Sequence, residues 1–373
     1  MVPLRGFNNN DKNVRGADFR NYSFFIIHYS FEKKTGDLRK MINIVQIGYG
    51  YWGTNVARNI VQSKETNMAA LSDASQARLD AARNVYGHAI PDYTADYEKY
   101  LSDPNVDAFA LVIQTEPSFE IAKRILKAGK HLFIEKPMAS DTARAEELER
   151  LARENHVILH VDHIMIFHPI IRYIKKMYDE GQLGDLIYFD ISRMNLGPIR
   201  RDVNAMLDLA VHDLAVIDYI SGGKEPYHVE AIGEKHYGSQ ETLTYLTLKY
   251  DGFLAHIKSS WISPIKERRT MIGGTKKMVI FDDMRTMDKL TIFDQGIIET
   301  GEEYGAYEFK ARSGDITIPY IPQEDALRNS IEHFAGCVVS GKESLANGIQ
   351  GIKVIRILDR AKEKLAASSS AAS

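Results

Sequence analysis

Three side chains in this sequence could move a proton or hold a developing charge. Lys136 stands in Glu135-Lys136-Pro137, directly after an apolar segment, and Asp208 and His212 lie four residues apart in an apolar helical pattern. That spacing places Asp208 and His212 on one helix face. A histidine titrates near neutrality, and an ammonium group can stabilise negative charge on oxygen. An Asp–His pair at this spacing is more often a structural hydrogen bond, and a lone lysine is more often solvated. Whether these residues are catalytic therefore depends on the motifs around them.

A glycine-rich loop supplies that context. Residues 48–53 fit the pattern G-x-G-x-x-G, which stands between an apolar run and a helical segment. The first glycine permits a tight turn, the second lets a pyrophosphate approach the backbone, and the third lets helix pack on strand. The free N–H groups of the helix start then favour phosphate. The predicted cofactor-binding residues of this loop are Gly48, Gly50, Tyr51, Trp52 and Gly53.

A carboxylate stands where such a cofactor would place its ribose. Asp73 follows the second predicted strand, 20 residues after Gly53. At this position a carboxylate accepts the ribose 2′-hydroxyl and repels a 2′-phosphate, which favours NAD over NADP. Asp73 could also be a plain turn residue before a helix. Because ligands bind beyond the carboxyl ends of parallel strands, Glu135 and Lys136 are expected to face the same cofactor.

The elements that must position these residues change character along the chain. From Met41 to Val161, short apolar runs alternate with helical segments, including strands at Ile42–Ile47 and His131–Ile134 and a helix capped by Asp141. This alternation predicts a doubly wound parallel sheet of the Rossmann type, in the α/β class.

The second half predicts an α+β domain with a large, mainly antiparallel open sheet. Its strands alternate apolar and polar residues and are expected to follow one another without intervening helices. Two helices close the chain, and the Asp208–His212 helix is expected to stop at Ser221-Gly222-Gly223. The expected strands and closing helices are Asp185–Met194, Tyr227–Glu234, Thr242–Tyr250, Phe253–Trp261, Glu324–Val339 and Gly348–Leu365.

Composition sharpens the domain limits. Of 373 residues, the first 40 carry a net charge of +4, so that the other 333 carry −7 within an overall −3. We expect residues 1–40 to lie outside the fold, 41–161 to form the cofactor domain, and 162–366 to form the substrate and oligomerisation domain with its closing helices. Residues 367–373 are expected to be a disordered tail.

The same composition excludes several classes of protein. The near-neutral charge, without a run of five or more basic residues, argues against nucleic acid or an anionic membrane surface as partner. The apolar run Phe24–Ile27 is far too short to span a bilayer. Cys337 is the only cysteine, which excludes an internal disulfide and a cysteine-based metal site and fits a cytoplasmic setting. No metal is expected.

The combination of motifs resembles a known family. The glycine loop, the stretch 128–137 ending in Glu-Lys-Pro, and the Asp208…His212 helix look like the glucose–fructose oxidoreductase/inositol dehydrogenase (Gfo/Idh/MocA) family from Met41 to about Leu365. The segment from Asn195 to Asp213 is similar to that of sugar-nucleotide 3-dehydrogenases acting on UDP-N-acetylglucosamine or its uronate.

The resemblance implies roles for matching positions. Lys136, Asp208 and His212 would form the catalytic trio, and Arg200 and Asn204 would hold substrate phosphate or sugar. The expected reaction is hydride transfer between a secondary alcohol, C3 of a UDP-linked hexosamine or uronate, and NAD. His212 is the first choice of base, with Asp208 orienting its ring or gripping a hydroxyl, while Lys136 holds the reacting oxygen or shares the proton transfer. The family also implies a homodimer or homotetramer through the second sheet.

Two alternatives stay open. The chain could be an inositol or free-sugar dehydrogenase, or a ketosugar reductase that works in the opposite direction. It could also be a non-enzymatic regulator that senses NAD, because a fold does not fix an activity. Such a regulator would not need Lys136, Asp208 and His212 together.

Overall fold

The structure is a computed structural model that describes residues 41–201, 203–299 and 309–370. The predictions for residues 1–40 and for 371–373 lie outside the described residues. The strands are β1 Ile42–Ile47, β2 Thr66–Ser72, β3 Tyr93–Thr94, β4 Ala108–Leu111, β5 His131–Ile134, β6 Leu159–Val161, β7 Leu186–Leu196, β8 His228–Glu234, β9 Leu243–Tyr250, β10 Phe253–Ser260, β11 Ile262–Gly274, β12 Met278–Asp282, β13 Leu290–Phe293, β14 Gly296–Glu299, β15 Phe309–Arg312 and β16 Ile316–Thr317. The α-helices are α1 Gly53–Gln62, α2 Gln76–Tyr86, α3 Thr115–Lys127, α4 Thr142–Glu154, α5 Pro169–Asp179, α6 Ala205–Ser221, α7 Ala326–Ser340 and α8 Gly348–Ser370.

The first sheet is parallel throughout, in the order β3-β2-β1-β4-β5-β6. All four residues of β4 are buried, as expected for a strand covered on both faces. Two separate apolar clusters lie against this sheet, one on each side. The predicted Rossmann sheet is therefore confirmed, with β1 and β5 at the predicted residues and Asp141 as the cap of α4.

The second sheet has eight strands in the order β16-β13-β12-β11-β7-β10-β9-β8. It is mainly antiparallel, as predicted, but β7 and β10 run parallel. The expectation that no helix interrupts its strands was wrong, because α6 lies between β7 and β8 and returns the chain to the same end of the sheet. The 13-residue β11 was not predicted: its run Lys266-Glu267-Arg268-Arg269 hides the alternation on which strand prediction depends.

Helix α6 crosses the inner face of this sheet and carries two of the candidate catalytic residues. Asn204 caps its start by accepting the Leu207 N–H at 2.9 Å, and Gly222 ends it in the left-handed conformation, with φ of 75°. The predicted stop is thus confirmed. The buried face of α6 packs against β9 and β10 and is almost wholly apolar. Burial of this face therefore fixes the orientation of α6 about its own axis.

The closing helices contact both sheets. Side chains of α7 belong to the apolar cluster that also holds residues of β1 and α1, whereas α8 packs against α4, α6 and β8. The described residues from Met41 onward form one compact unit, and the domain limit near Val161 stays a prediction. Helix α8 continues to Ser370, five residues beyond its expected end, through an alanine- and serine-rich stretch. Along the described ranges, no helix combines the length and apolar character needed to cross a bilayer.

Candidate active site

A cavity of about 1550 Å³ opens at the carboxyl ends of the first sheet, between the glycine loop and the start of α6. Side chains from both sheets line it. The predicted cofactor-binding residues in its wall are Gly48, Gly50, Tyr51, Trp52, Gly53, Asp73, Glu135 and Lys136, together with Asp208, His212 and Arg200. The topology therefore brings together residues that lie up to 164 positions apart in the sequence.

The three loop glycines have different surroundings. Gly48 has φ of +100°, and a Cβ there would lie 2.2 Å from the carbonyl oxygen of Val112. A Cβ on Gly53 would lie 2.4 Å from the carbonyl oxygen of Gly48, whereas a Cβ on Gly50 would meet no atom within 4 Å. The buried Gln46 amide donates to the Gly48 and Gly53 carbonyls, at 2.8 Å each, and fixes the turn. Only Gly50 faces open space, which is where a pyrophosphate would approach.

The start of α1 also suits an anion. Trp52 precedes the helix without a side-chain cap, and Tyr51 is 91% exposed. The Thr54 and Asn55 N–H groups already donate to the Gly50 and Trp52 carbonyls, at 3.1 and 2.9 Å, so the positive end of the helix dipole is what would attract phosphate here. The residues present therefore fit a dinucleotide.

Asp73 is 7% exposed and built into the loop. Its Oδ2 accepts the Tyr49 N–H at 2.7 Å, and its Oδ1 accepts the Ser75 N–H at 2.8 Å. The guanidinium of Arg78, whose side chain is 57% exposed, lies 3.5 Å from Oδ2. Asp73 suits a ribose hydroxyl, while Arg78, which the sequence interpretation missed, is a cation beside the place of a 2′-phosphate.

Lys136 follows β5 and points toward α6. Its Nζ lies 3.3 Å from the backbone oxygen of Asp208, to which it donates, and 3.9 Å from the Asp208 Oδ1. The Lys136–Pro137 peptide bond is cis. The ammonium group is thus held between the two sheets, inside the cavity.

Asp208 binds cations rather than its helical neighbour. Its Oδ1 lies 3.5 Å from the guanidinium of Arg200, and its Oδ2 accepts the indole N–H of Trp261 at 3.3 Å. No hydrogen bond joins Asp208 to His212 in the part of the chain that the structure describes. The expectation that Asp208 orients the His212 ring was therefore wrong for this geometry, because the carboxylate turns toward Lys136 and Arg200.

His212 lines the cavity as a neutral imidazole. Burial and the positive charges of Lys136, Arg193 and Arg268 hold its pKa well below the usual value. Its Nδ1 is buried without a hydrogen-bond partner among the described residues. An unpartnered ring nitrogen at this position can form a hydrogen bond with a hydroxyl group in the cavity, while burial and the nearby cations disfavour the imidazolium form.

Asn204 is the predicted substrate residue that the structure does not bring to the cavity. It is 4% exposed, its oxygen caps α6, and its amide nitrogen donates to Glu241 at 2.9 Å. Both polar atoms of the side chain are therefore occupied by the fold. Its predicted substrate contact rests on the resemblance alone.

Cationic residues of the cavity wall were missed by the sequence interpretation. Arg193 on β7 is buried in a two-pronged contact with Asp213, with distances from 2.6 to 3.2 Å. Arg268 on β11 lies 3.7 Å from Asp283, and Lys362 comes from α8. No spacing in the sequence signals these residues, because their strands and helix are far apart along the chain.

The parallel sheet, its glycine loop and the convergent proton-transfer groups define a dinucleotide-binding protein of the Rossmann class. Comparison with known proteins places it more closely. Residues 42–163 match the oxidoreductase family with an NAD-binding Rossmann fold, and residues 171–280 match the GFO/IDH/MocA C-terminal domain. The chain belongs to the Gfo/Idh/MocA oxidoreductase family.

Individual relatives are more distant. UDP-N-acetylglucosamine 3-dehydrogenase of Acidithiobacillus ferrooxidans is 27% identical over 253 residues, which are 67% of this chain and 76% of the relative. scyllo-Inositol 2-dehydrogenase (NAD(+)) of Bacillus subtilis is 23% identical over 84% of this chain and 90% of the relative. A solved structure of the former enzyme matches with a TM-score of 0.72 at 24% identity, covering 88% of this chain and 98% of that one.

An aldose-aldose oxidoreductase from Caulobacter crescentus matches the same fold. Its solved structure gives a TM-score of 0.75 at 19% identity, covering 88% of this chain and 98% of that one. Within residues 41–201, 203–299 and 309–370, no group of three or more His, Cys, Asp or Glu side chains is arranged to hold a metal ion.

Proposed function

We propose that this protein is an NAD-dependent dehydrogenase that transfers a hydride between a secondary alcohol carbon of a sugar and nicotinamide. The observation that carries the proposal is the convergence of Lys136, Asp208 and His212 on the cavity that also holds the glycine loop. A dinucleotide site alone would not require these three. NAD⁺, when bound, supplies the hydride acceptor.

The chain's own residues divide the remaining work. The Lys136 ammonium, held by the Asp208 oxygens at 3.3 and 3.9 Å, hydrogen-bonds the alcohol oxygen and stabilises its growing negative charge. His212, which lines the same cavity with a buried Nδ1 that has no hydrogen-bond partner among the described residues, is the group that accepts the alcohol proton. Asp208 contacts both Lys136 and Arg200. It thereby keeps the group that binds the alcohol oxygen close to the group that contacts the rest of the substrate.

The size and charge of the cavity support a sugar nucleotide as substrate. Its volume of about 1550 Å³ exceeds the roughly 300–1,000 Å³ of ordinary ligand pockets, so it accommodates a dinucleotide and a second ligand. Arg200 and Arg268 line its wall with half-exposed side chains, in ion pairs with Asp208 at 3.5 Å and Asp283 at 3.7 Å, and are the groups that would contact a pyrophosphate or uronate, whereas the charge of the buried Arg193 is balanced by Asp213. We therefore favour C3 of a UDP-linked hexosamine or its uronate, in line with the named activity of the Acidithiobacillus relative.

The other candidate substrate is a free polyol. The Bacillus subtilis relative is an inositol dehydrogenase at 23% identity, and a neutral polyol would offer no negative charge to the half-exposed guanidinium groups of Arg200 and Arg268 in the cavity wall. Turnover of inositol with no turnover of UDP-sugars would replace the substrate proposal and leave the oxidoreductase proposal intact.

The decisive experiment measures NADH formation by the purified chain. UDP-N-acetylglucosamine, its uronate and myo-inositol are offered with NAD⁺, with and without an oxo-acid acceptor that reoxidises any tightly bound NADH to NAD⁺; in the arm with the acceptor, the hydroxy acid formed is measured instead of NADH. We expect Lys136→Met and His212→Gln to lower kcat/KM by roughly 10²–10⁴-fold, and the exposed matched controls Lys342→Met and His88→Gln to retain wild-type turnover. NAD⁺ binding without turnover of any sugar would indicate a sensor instead.

Assembly and compartment are part of the same proposal. The outer face of the second sheet carries apolar side chains such as Ile232 (55% exposed) and Leu254 (40% exposed), which favours a homodimer or homotetramer through this face. The buried, unreactive Cys337, whose pKa burial raises to about 11, suits a reducing cytoplasm. Light scattering of the purified chain, compared with an Ile232→Lys variant, tests the assembly.

A further inference from the structure

Two carboxyl groups face each other in the wall of the cofactor cavity. Glu135 follows β5 and Asp162 follows β6, so the adjacent parallel strands deliver both to the same edge of the sheet. Their backbones are fixed by sheet hydrogen bonds, from the Glu135 N–H to Leu111 at 3.0 Å and from the Asp162 N–H to Ile134 at 2.8 Å. Asp162 is 1% exposed.

The hydrogen bonds leave one oxygen of each group without a donor. Glu135 Oε2 accepts the Lys136 N–H at 3.0 Å, and Asp162 Oδ1 accepts the Ser330 hydroxyl at 3.0 Å. Glu135 Oε1 and Asp162 Oδ2 are buried with no hydrogen-bond partner among the described residues, and each carboxyl group affects the pKa of the other. The indole Nε1 of Trp52 lies beside both without forming a hydrogen bond of good geometry to either.

A chain of hydrogen bonds through Ser344, His160 and Ser330 ends at Asp162. Ser344 Oγ accepts the Ala346 N–H at 3.1 Å, which leaves its own proton for His160 Nδ1 at 2.8 Å. His160 Nε2 then donates to Ser330 Oγ at 3.0 Å, and Ser330 donates to Asp162. Burial keeps the His160 pKa well below its usual value, so the ring is neutral and carries the single N–H that this direction requires.

Aromatic packing prevents that ring from turning over. His160 stacks between Phe133, at 5.0 Å between centroids, and Phe167, at 5.5 Å. The donor chain therefore supplies Asp162 Oδ1 and leaves Oδ2 without a donor among the described residues. What Oδ2 and Glu135 Oε1 lack is one proton between them.

We propose that Glu135 and Asp162 share one proton and act as a single carboxyl pair of one negative charge, which positions Lys136 and sets the charge of the cofactor cavity. Two facing acceptors repel when both are ionised, whereas one shared proton satisfies both oxygens. Burial raises the pKa of Glu135, and burial together with the Glu135 charge raises that of Asp162 well above its usual range. The groups that face the pair are the Lys136 ammonium, the Trp52 indole and the Ser330 hydroxyl.

The functional consequence, which rests on the proposed dehydrogenase activity, is electrostatic. The pair holds the Lys136 backbone through Glu135 and places one negative charge beside the Lys136 ammonium, in the wall of the cavity. Glu135→Gln and Asp162→Asn each leave one carboxylate and one amide, so each single variant keeps the charge that the pair had. Only the double variant removes the charge.

Protonation can be read without substrate or cofactor by infrared spectroscopy of the full chain near neutral pH. We expect a carbonyl stretch of a protonated carboxyl in the wild type, which moves when aspartate or glutamate is labelled with ¹³C, and which disappears in both Glu135→Gln and Asp162→Asn. Difference spectra cancel other carboxyls, including Asp218, whose pKa burial also raises. Ser330→Ala removes the donor to Asp162 without changing the charge and is expected to shift the band but retain it.

Activity supplies the second measurement. We expect the single variants to keep the pH midpoint of kcat/KM that the wild type shows, and the double variant to move this midpoint downward by roughly one pH unit, because the loss of a negative charge from the cavity wall disfavours protonated groups in the cavity. Absence of the band in the wild type, or its persistence in either single variant, would overturn the shared proton. If the wild type turns over no sugar while the infrared band is present in it and absent from both single variants, the dehydrogenase proposal fails and the shared proton stands.

Discussion

The three loop glycines offer the sharpest prediction, because the structure assigns each a different reason to be glycine. In Gly48→Ala the new Cβ would lie 2.2 Å from a backbone oxygen, at φ of +100°. The left-handed conformation costs about 1–2 kcal/mol for an L-residue, and overpacking costs about 1–3 kcal/mol. We expect roughly 2–5 kcal/mol of lost stability, a large share of the roughly 5–15 kcal/mol typical of folded proteins.

The other two glycines separate the contributions. Gly53→Ala has no positive φ, so only the 2.4 Å clash applies, at about 1–3 kcal/mol. Gly50→Ala meets open space, and we expect its stability to stay within about 0.5 kcal/mol of the wild type. Its methyl group would stand in the path of the pyrophosphate, and NAD⁺ affinity should fall at least tenfold, or about 1.4 kcal/mol.

Thermal melting and calorimetric titration with NAD⁺ test this series together. Gly252→Ala is the matched control, since Gly252 has φ of +90° in the β9–β10 turn with no atom within 4 Å of its Cβ position. Its loss of stability measures the backbone cost alone, and its NAD⁺ affinity should equal that of the wild type. If Gly50→Ala binds NAD⁺ as tightly as the wild type, the loop does not cradle a pyrophosphate and the reasoning fails.

Three further predictions concern charged and titratable groups. Asp73→Ala should reduce the ratio of NADH affinity to NADPH affinity, and Arg78→Ala should lower the affinity for NADPH alone. Fluorescence titrations in which either variant loses equal affinity for both cofactors would contradict this assignment. The pKa of His163 is lowered by burial to about 3, so below pH 6.5 only the unfolded chain takes up this proton. Stability then falls by about 1.4 kcal/mol per pH unit for this group, and melting curves from pH 7 to 5 should show a shallower loss in His163→Phe. Asp213→Ala leaves the buried Arg193 guanidinium unpaired and should cost about 3–5 kcal/mol, part of which Arg193→Met restores in the double variant; chemical denaturation that shows strictly additive losses would refute the coupling.

Local features of the first sheet followed from the sequence because they depend on neighbours in the chain. The apolar runs of β1 and β5, the cap at Asp141 and the αL stop at Gly222 are each specified within a few residues. The glycine loop belongs to the same class, since strand, turn and helix follow one another directly. The structure confirms all of these features.

Strand β11 shows where local pattern stops being informative. Its first eight residues are exposed or half-buried, and one of them, Arg268, lines the cavity, so neither face of the strand is uniformly apolar. The parallel pairing of β7 with β10 depends on where α6 packs. Sequence periodicity indicates which face of a single element is buried. It does not indicate where α6 packs or which strands pair.

The sequence by itself determined which residue types were available for chemistry: a lysine after a strand, an aspartate and histidine on one helix face, and glycines before a helix. Tertiary structure alone decided their partners. Asp208 contacts Lys136 and Arg200 instead of His212, and Asp162 lies beside Glu135, because sheet order and helix packing join segments that are far apart in the chain. Through-space contacts of this kind set charge, proton position and burial, and those quantities make the cavity reactive.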